Sequence, residues 1–405
     1  MIRKFFTSHM SLPAMVMVIA SGLFSVSCEK ENSDTPQVVP DRTVVVYMVA
    51  SNSLGSYDFD IKDMNEMVAA AKAGGLRNGR LVVYRQSYDG NPVLQEVTAN
   101  GLDTIKLYNN SVSSLSIARM RGVINDVKTS LPAKEYGIIL WSHGNGWLRA
   151  GAGHTGETPI ASGRAFGQEG GIDKTSRYMD TESLAAALTG EDLAFAYFDC
   201  CYMGGIEVLY DMRKSVPRLV ASVAELPAEG MPYNLTLPYI MAPESADLEG
   251  AAKATFDYYN ARTGEDRTCT MSVYDMTQVD GLSEALKDLY SWHPESPEGF
   301  TPQKFMTEKK CYYFDLKHYV ENLSLPEGAD ATLLNAFDET KQAVYDAIDK
   351  VVAYGEATPY LWDELGVSHH CGISTQFLTS STDADARDYK ETTWWRDVAY
   401  LLFEY

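Results

Sequence analysis

A repeated alternation of short apolar segments and helical patterns in the first half of the chain limits the possible folds more than any other feature. Segments rich in β-branched and aromatic residues, each typical of a buried strand, lie at residues 43–48, 80–84, 136–141 and 193–198. Helical spacing of apolar residues occurs between or after them, at residues 60–72, 116–128, 184–188 and 203–213. Strands without polar positions are buried on both faces, and strands that alternate with helices build parallel sheets. The sequence therefore predicts an α/β fold whose mainly parallel sheet is sandwiched by helices.

The N-terminal segment has the pattern of an export signal. Two basic residues precede an apolar run at residues 12–26, which ends at Ser27 and Cys28. The run is shorter than the ~20 residues that span a bilayer. Small residues followed by one cysteine resemble the bacterial lipoprotein cleavage site. We interpret residues 1–27 as a lipoprotein signal peptide, Cys28 as the lipidation site and residues 28–42 as a tether. A plain secretory signal is the alternative. The protein is expected in the outer membrane or at the cell surface.

The net charge and the cysteine content further limit the partners and the chemistry expected of this chain. The chain has 34 Lys and Arg against 55 Asp and Glu, a formal net charge of -21. Such a charge repels phosphates, so nucleic acid is excluded as a partner, whereas cationic peptides would be attracted. Beyond Cys28, five cysteines remain. An odd number in an exported protein leaves one thiol without a partner, and that thiol is a candidate reactive group.

Two loops that follow predicted strands carry the chemistry. His143 and Gly144 follow the third strand, and Asp199, Cys200 and Cys201 follow the fourth. In parallel sheets the loops beyond the carboxyl ends of the strands converge, so a thiol nucleophile and its proton acceptor can meet there. Each residue also has a simpler interpretation. A strand cysteine is often core packing, a histidine at a strand end is often a hydrogen-bonded corner, and vicinal cysteines can form a strained disulfide.

The physical case favours Cys201 as the nucleophile. A position at the start of the predicted helix at 203–213 would favour its thiolate. Strand alternation places Cys200 on the opposite side, where it would pack. His143 would transfer the proton, and the N–H groups of Gly144 and Cys201 are candidates for an oxyanion hole.

Three blocks of this sequence resemble the clostripain-like cysteine peptidases, within the caspase-like and gingipain-like clan. They are VVVYMVASNSL with the later DMNEM, YGIILWSHGNGW and FDCCYMGGIEVLYDM. Weaker likeness lies at residues 224–233, 315–316 and 371–374. The third block assigns the nucleophile to Cys201, and the resemblance spans roughly residues 43–405. It implies a caspase-like catalytic domain at 43–236. Ala50-Ser51-Asn52 departs from the family's usual Gly-Asp-Asn.

The resemblance implies hydrolysis of peptide bonds after Arg or Lys, through a thioester acyl-enzyme, with an acidic pocket for the basic side chain. Asp199 precedes Cys201 by two residues and faces the same way by strand alternation, so it is placed to pair with a guanidinium or ammonium group. The alternative role for Asp199 is a helix cap. Glu225 and Glu229 are secondary pocket candidates. The expected partners are therefore protein or peptide substrates that contain Arg or Lys.

A glycine-rich stretch separates the two catalytic blocks. Residues 151–173 contain seven glycines, which is typical of a surface loop without rigid structure. Four basic residues lie in or beside this loop and are candidates for activating self-cleavage, which the family resemblance also suggests: Arg149, Arg164, Lys174 and Arg177. The alternative is an uncleaved lid over the site.

The rest of the chain is predicted to support the catalytic unit. Residues 237–405 mix helical and strand patterns and are predicted to form an α+β extension that packs on the catalytic unit and builds one wall of the cleft. Adjacent residues of the His369-His370-Cys371 run point to opposite strand faces, so zinc is rejected. No cofactor is required for the chemistry, while Ca²⁺ stays open because family members can depend on it. The alternative function is a surface lipoprotein of the same fold that binds peptides or glycans without cutting them.

Overall fold

The apolar segments of the first half form the centre of one large sheet. The computed structural model describes residues 39–148, 165–170, 177–308, 310–378 and 386–403. The predicted signal peptide, Cys28, most of the tether, Arg149, Arg164 and Lys174 lie outside the described residues.

Among the described residues, nine strands build this sheet, in the order β12-β10-β9-β8-β5-β1-β2-β3-β4. They are β1 (Arg42–Val49), β2 (Gly79–Gln86), β3 (Val93–Thr98), β4 (Gly101–Leu107), β5 (Glu135–Trp141), β8 (Phe195–Asp199), β9 (Arg218–Ala221), β10 (Thr270–Asp275) and β12 (Val352–Ala357). The five central strands run parallel, and an antiparallel pair extends the sheet at each edge. The predicted α/β class with a mainly parallel sheet is confirmed.

Shorter strands form three two-stranded sheets outside the large one. They are β6 (Phe166–Glu169) with β7 (Arg177–Met179), β11 (Phe314–Asp315) with β15 (Ser374–Thr375), and β13 (Tyr360–Leu361) with β14 (Leu365–Gly366).

Helices cover both faces of the large sheet. They are α1 (Ser53–Ser56), α2 (Phe59–Lys72), α3 (Ile117–Ser130), α4 (Thr181–Leu188), α5 (Ile206–Met212), α6 (Tyr233–Ile240), α7 (Leu248–Asn260), α8 (Val279–Tyr290), α9 (Leu316–Glu321), α10 (Ala331–Val351), α11 (Ala386–Tyr389) and α12 (Thr393–Asp397). Three 3₁₀ turns lie at Gly264–Asp266, Met276–Gln278 and Ala399–Phe403. The cluster on one face contains residues of α2, α6 and α7, and the cluster on the other contains residues of α3, α4, α5, α8 and α10.

Strand β1 shows why this sheet is buried on both faces. Val44 and Val46 belong to the first cluster, whereas Val45 and Tyr47 belong to the second, and all four are at most 1% exposed. Successive strand residues point to opposite faces, so a strand covered on both faces is apolar at consecutive positions, as residues 44–49 of β1 are. This burial is what the apolar segments predicted.

Helix α5 begins three residues later than predicted, at Ile206 rather than at residue 203. The intervening backbone is bonded to the end of strand β9: the N–H of Tyr202 donates to the Ala224 carbonyl and that of Gly204 to the Ser222 carbonyl. Gly205 is extended, with φ -82° and ψ 148°, and forms a bridge to Ser374, so the helix cannot begin before Ile206. At the other end of the chain, α10 ends at Val351, and β12 begins at the next residue.

The C-terminal half contributes to the central sheet. Strands β10 and β12 lie beyond residue 236 and pair antiparallel at its edge, β10 with β9 and β12 with β10. Residues 39–405 accordingly cluster as one unit. Strands from both sides of residue 236 thus pair in one continuous sheet, and the predicted division into a catalytic domain and an extension stays a prediction. Within the described part of the chain, no helix combines the length and the apolar character needed to cross a bilayer.

Candidate active site

The register of two central strands places the predicted nucleophile beside the predicted proton acceptor. Strands β5 and β8 are parallel neighbours, and their last residues, Trp141 and Asp199, are paired with each other. His143 lies two residues beyond Trp141, and Cys201 lies two residues beyond Asp199. Neighbouring strands are about 4.8 Å apart. The segments that carry His143 and Cys201 therefore follow the carboxyl ends of two adjacent strands and lie side by side.

Gly144 marks where the two loops touch. A Cβ atom at this position would lie 2.5 Å from the Cys201 carbonyl oxygen and 3.1 Å from its backbone nitrogen. It would also lie 3.0 Å from the Cβ of Cys200. Only a glycine allows this approach, so the residue after His143 is in contact with the backbone of Cys201.

These residues line a common cleft. It has a volume of about 190 Å³ and is bordered by His143, Asp199, Cys200, Cys201 and Glu225, together with residues 226–228, Gly230, Leu54, Trp141, Ser142 and Trp362. The predicted dyad, the predicted pocket aspartate and one of the two secondary glutamates are thus brought together. Glu229 does not line the cleft and instead forms an ion pair with Arg262 at 3.0 Å.

The thiol of Cys201 is held by the backbone of the segment after β9. The Leu226 N–H donates to Sγ at 3.4 Å, and the Leu226 carbonyl accepts from the thiol at 3.7 Å. Burial, and after it the nearby Glu225 carboxylate, raises the pKa of Cys201 to about 12. The expected stabilisation of a thiolate by a helix N-terminus is absent here, because α5 begins five residues further on. The raised pKa favours the neutral thiol of Cys201 over its thiolate.

Cys200 is packed as predicted, although it borders the same cleft as Cys201 and does not lie on the opposite side. It is 3% exposed, and its thiol donates to the Leu140 carbonyl at 3.5 Å. Burial raises the pKa of this thiol well above its usual range. Both cysteines are free, so the vicinal disulfide is not formed.

His143 is held by a hydrogen-bond network that the sequence did not predict. Its Nε2 and the Ser53 hydroxyl are 2.8 Å apart. Asn52, fully buried before α1, accepts from the Leu54 N–H and donates to the carbonyl of Val49 and the hydroxyl of Ser142. The Ala50-Ser51-Asn52 segment therefore ties the end of β1 to the histidine loop.

Asp199 lines the cleft and is 5% exposed. One oxygen accepts from the Met231 N–H at 2.8 Å, and the other from the Tyr233 hydroxyl at 3.0 Å. Burial raises the pKa of Asp199 to about 7. Gly205 is the cap residue of α5, so Asp199 does not serve as the helix cap.

Two further carboxyl groups of α2 lie near Asp199, and sequence reasoning did not single them out. Asp63 accepts from the Trp141 indole N–H at 2.7 Å, and burial, followed by the charge of Asp199, raises the pKa of Asp63 to about 9. Glu66 accepts from the Tyr233 N–H at 3.1 Å. Their helical positions identify them as a buried face of α2, but no sequence pattern connects that face to a loop more than a hundred residues away.

The backbone turns sharply after Cys201. Tyr202 has a φ of 61°, a left-handed conformation that costs roughly 1–3 kcal/mol for a bulky residue. Its ring stacks on Tyr313 with centroids 4.4 Å apart. The Tyr313 hydroxyl donates to Asn145 of the histidine loop, at 2.6 Å to the carbonyl and 2.8 Å to Oδ1. Tyr313 thus links the two catalytic loops from the C-terminal half.

The remaining predicted positions are separate from this cleft. Of the self-cleavage candidates, Arg177 is described: its side chain is 66% exposed, at the start of β7. His369 stacks on His318, with ring centroids 3.7 Å apart. Within the described ranges, no group of three or more histidine, cysteine or carboxylate side chains could hold a metal ion. Calcium dependence stays a prediction.

Comparison with known proteins agrees with this geometry. A model of the clostripain family matches residues 46–391. Three solved structures share the fold, at 21–24% identity, each over 89% of this chain. An inactive zymogen C11 protease from Parabacteroides distasonis has a TM-score of 0.71, with 98% of that chain covered. A secreted C11 cysteine protease from Bacteroides thetaiotaomicron has a TM-score of 0.71, and the complex of such a protease with an irreversible peptide inhibitor has 0.69, with 99% covered in both. Among curated proteins, none matches this chain.

Proposed function

Because the chain belongs to the clostripain family of cysteine peptidases, we propose that it cleaves peptide bonds after Arg or Lys with Cys201 as nucleophile and His143 as its acid and base. The pairing of Trp141 with Asp199 carries the proposal, since it brings both loops to one edge of the sheet. The contact of Gly144 with the Cys201 backbone supports the same arrangement.

The neutral resting thiol determines the first step. With the pKa of Cys201 raised to about 12, the sulfur must lose its proton as it attacks, and the imidazole of His143 is the acceptor in the cleft. The sulfur adds to the carbonyl carbon, and the N–H groups of Gly144 and Cys201 stabilise the oxyanion. Collapse expels the amine, which takes the proton from His143, and leaves a thioester. Water then hydrolyses the thioester, and neither step needs a cofactor.

Asp199 supplies the selectivity for a basic side chain. It is a buried carboxyl group at the cleft, and pairing with a desolvated guanidinium or ammonium group gives strong discrimination against neutral side chains. The cation also favours the ionised carboxylate, so substrate binding is expected to displace the proton that burial retains on Asp199. Glu225, with its pKa raised to about 7 by burial, is a second acidic group on the wall of the cleft.

A fluorogenic peptide that ends in arginine tests this proposal. Wild type is expected to release the dye, Cys201→Ala to lose at least about 10³-fold in kcat/KM, and the neighbouring Cys200→Ala to retain most activity. Asp199→Asn should weaken turnover of basic peptides far more than it weakens folding. Equal release by wild type and Cys201→Ala, or none by either after limited proteolysis of the loop, would contradict the peptidase proposal and favour the binding-only alternative.

Activation by self-cleavage in the loop at residues 149–177 is part of the proposal. The loop holds four basic residues, which are the residues that such an enzyme would cut after, and Arg177 is exposed. A relative of the same fold is described as an inactive zymogen. N-terminal sequencing of active enzyme should find a second chain that begins after one of these residues. An intact chain with full activity would refute this step.

We also propose export and lipidation at Cys28. The basic residues, the apolar run and the cysteine support it, and a Bacteroides protein of the same fold is described as secreted. Mass spectrometry of the N-terminal peptide from the native host should find a diacylglyceryl cysteine, and Cys28→Ser should abolish it. An unmodified Cys28 in a cleaved, released protein would indicate the plain secretory signal.

A further inference from the structure

A tryptophan in a strained turn reaches the cleft from the C-terminal half. Strands β13 and β14 form a hairpin, and the Glu364 N–H donates to the Leu361 carbonyl at 3.1 Å to close its turn. The central residues, Trp362 and Asp363, have φ values of 54° and 57°. Turns of this kind favour Asn and Gly, and a bulky aromatic residue at positive φ is an outlier. A residue keeps such a strained backbone conformation only where the surrounding structure holds it, and such residues tend to occur at functional sites.

Burial of a neighbouring side chain and a backbone hydrogen bond hold the turn in place. Leu361 is 1% exposed, and the Val367 N–H donates to the Pro359 carbonyl at 2.9 Å. Trp362 itself is half-buried and lines the same cleft as Cys201 and Asp199. The strained residue is therefore the point where this hairpin meets the catalytic cleft.

An aromatic wall together with a buried carboxyl group distinguishes two kinds of cation. A guanidinium group is planar and weakly hydrated, so it can pair with a carboxylate through its edge and stack on an indole through its face. A lysine ammonium is a compact, strongly hydrated charge that gains less from an aromatic face. The cleft offers both features, since Asp199 and Trp362 both line it.

We propose that Trp362 is a specificity-determining residue that stacks on the substrate's guanidinium group and makes the enzyme prefer Arg to Lys. The proposal rests on the function proposed above. It assigns to the C-terminal half a direct part in substrate selection, and it explains why a turn that would be less strained with Asn carries a tryptophan.

Paired fluorogenic peptides that differ only in a terminal Arg or Lys test this inference. Trp362→Asn removes the ring and suits the backbone, because Asn tolerates positive φ, so its melting temperature should not fall. The ratio of kcat/KM for Arg to that for Lys should drop by about 3- to 30-fold. Trp362→Phe keeps an aromatic face and should retain most of the ratio. Tyr360→Asn, in the same hairpin but outside the cleft, is the matched control and should leave the ratio unchanged.

The outcomes separate this inference from the function on which it rests. Equal losses for both peptides in Trp362→Asn, or an unchanged ratio, would refute the specificity role while the peptidase stands. A wild type that prefers the Lys peptide would do the same. A wild type that cleaves neither basic peptide but cleaves others would refute the proposed function, and this inference with it.

Discussion

Glu207, in the helix that follows Cys201, joins α5 to the C-terminal segment. It is 2% exposed, and its Oε1 accepts three hydrogen bonds: from the Gln376 N–H at 2.9 Å, the Thr375 hydroxyl at 3.0 Å and the Tyr389 hydroxyl at 2.8 Å. Glu207→Ala would leave these donors without their acceptor in a buried site. Thr375 has a second acceptor at 3.5 Å, the Gln376 carbonyl, so two donors lose the most.

Each orphaned buried donor costs about 1–3 kcal/mol, so the expected loss for Glu207→Ala is about 3–5 kcal/mol once the lost packing is included. That is a large share of the stability of a typical protein. Glu207→Gln has the same shape and keeps one acceptor oxygen, so its cost should be below about 2 kcal/mol.

The pH dependence of the free energy of unfolding should also distinguish the two variants. Burial raises the pKa of Glu207 above 4.5, so the native state retains a proton that the unfolded state releases. The stability that this group contributes is complete below pH 4.5 and declines as pH rises toward the native pKa. The glutamine variant carries no such proton, so its stability relative to wild type should improve over that rise.

Urea unfolding in a Cys201→Ala background, where self-cleavage is prevented, measures both effects. The free energy of unfolding is obtained for wild type, Glu207→Ala and Glu207→Gln at several pH values, with unchanged m values confirming a common mechanism. A loss below about 1 kcal/mol for the alanine variant, or a glutamine variant as unstable as the alanine variant, would refute the argument from the three donors.

Three further predictions concern the cleft. Gly144→Ala should lower kcat/KM by about 10²-fold or more, because its Cβ would fall 2.5 Å from the Cys201 carbonyl and push the loops apart; near-normal kinetics would show that the loops adjust freely. For an arginine peptide, kcat/KM should rise with pH through about 7 as Asp199 loses its proton, and a citrulline peptide should lack this rise; identical profiles would exclude Asp199. Tyr313→Phe removes the hydroxyl that holds Asn145 and should cost about 1 kcal/mol of stability, measured by urea unfolding; no loss would mean that the bond contributes nothing.

Strand positions could be predicted from the sequence because their burial leaves a local signal. The runs at 43–48 and 136–141 are apolar at both alternating faces, and β1 and β5 contain them in full. The hairpin of β3 and β4 lies at an edge of the sheet, where polar residues are tolerated, and its mixed sequence gave no comparable signal.

In the candidate site, too, some features could be predicted from the sequence and others could not. His143 and Cys201 could be expected to meet because parallel strands end at a common edge. The acidity of Cys201 could not, since it depends on where α5 begins and on the distant segment at Leu226. Trp362 was missed because it reaches the cleft through long-range packing and belongs to no strand-end loop with a recognisable motif. Ser53 lies in the VVVYMVASNSL block after β1, but nothing in that block indicates its hydrogen bond to His143.

The order of strands has a consequence for a nicked enzyme. Scission between residues 149 and 177 would divide the sheet between β5 and β8. One fragment would hold β5, β1, β2, β3 and β4, and the other would hold β8, β9, β10 and β12. His143 would belong to the first fragment and Cys201 to the second. Catalysis would then be the property of a non-covalent heterodimer whose subunits share a sheet. Refolding either half alone should yield no turnover, and mixing the two should restore it.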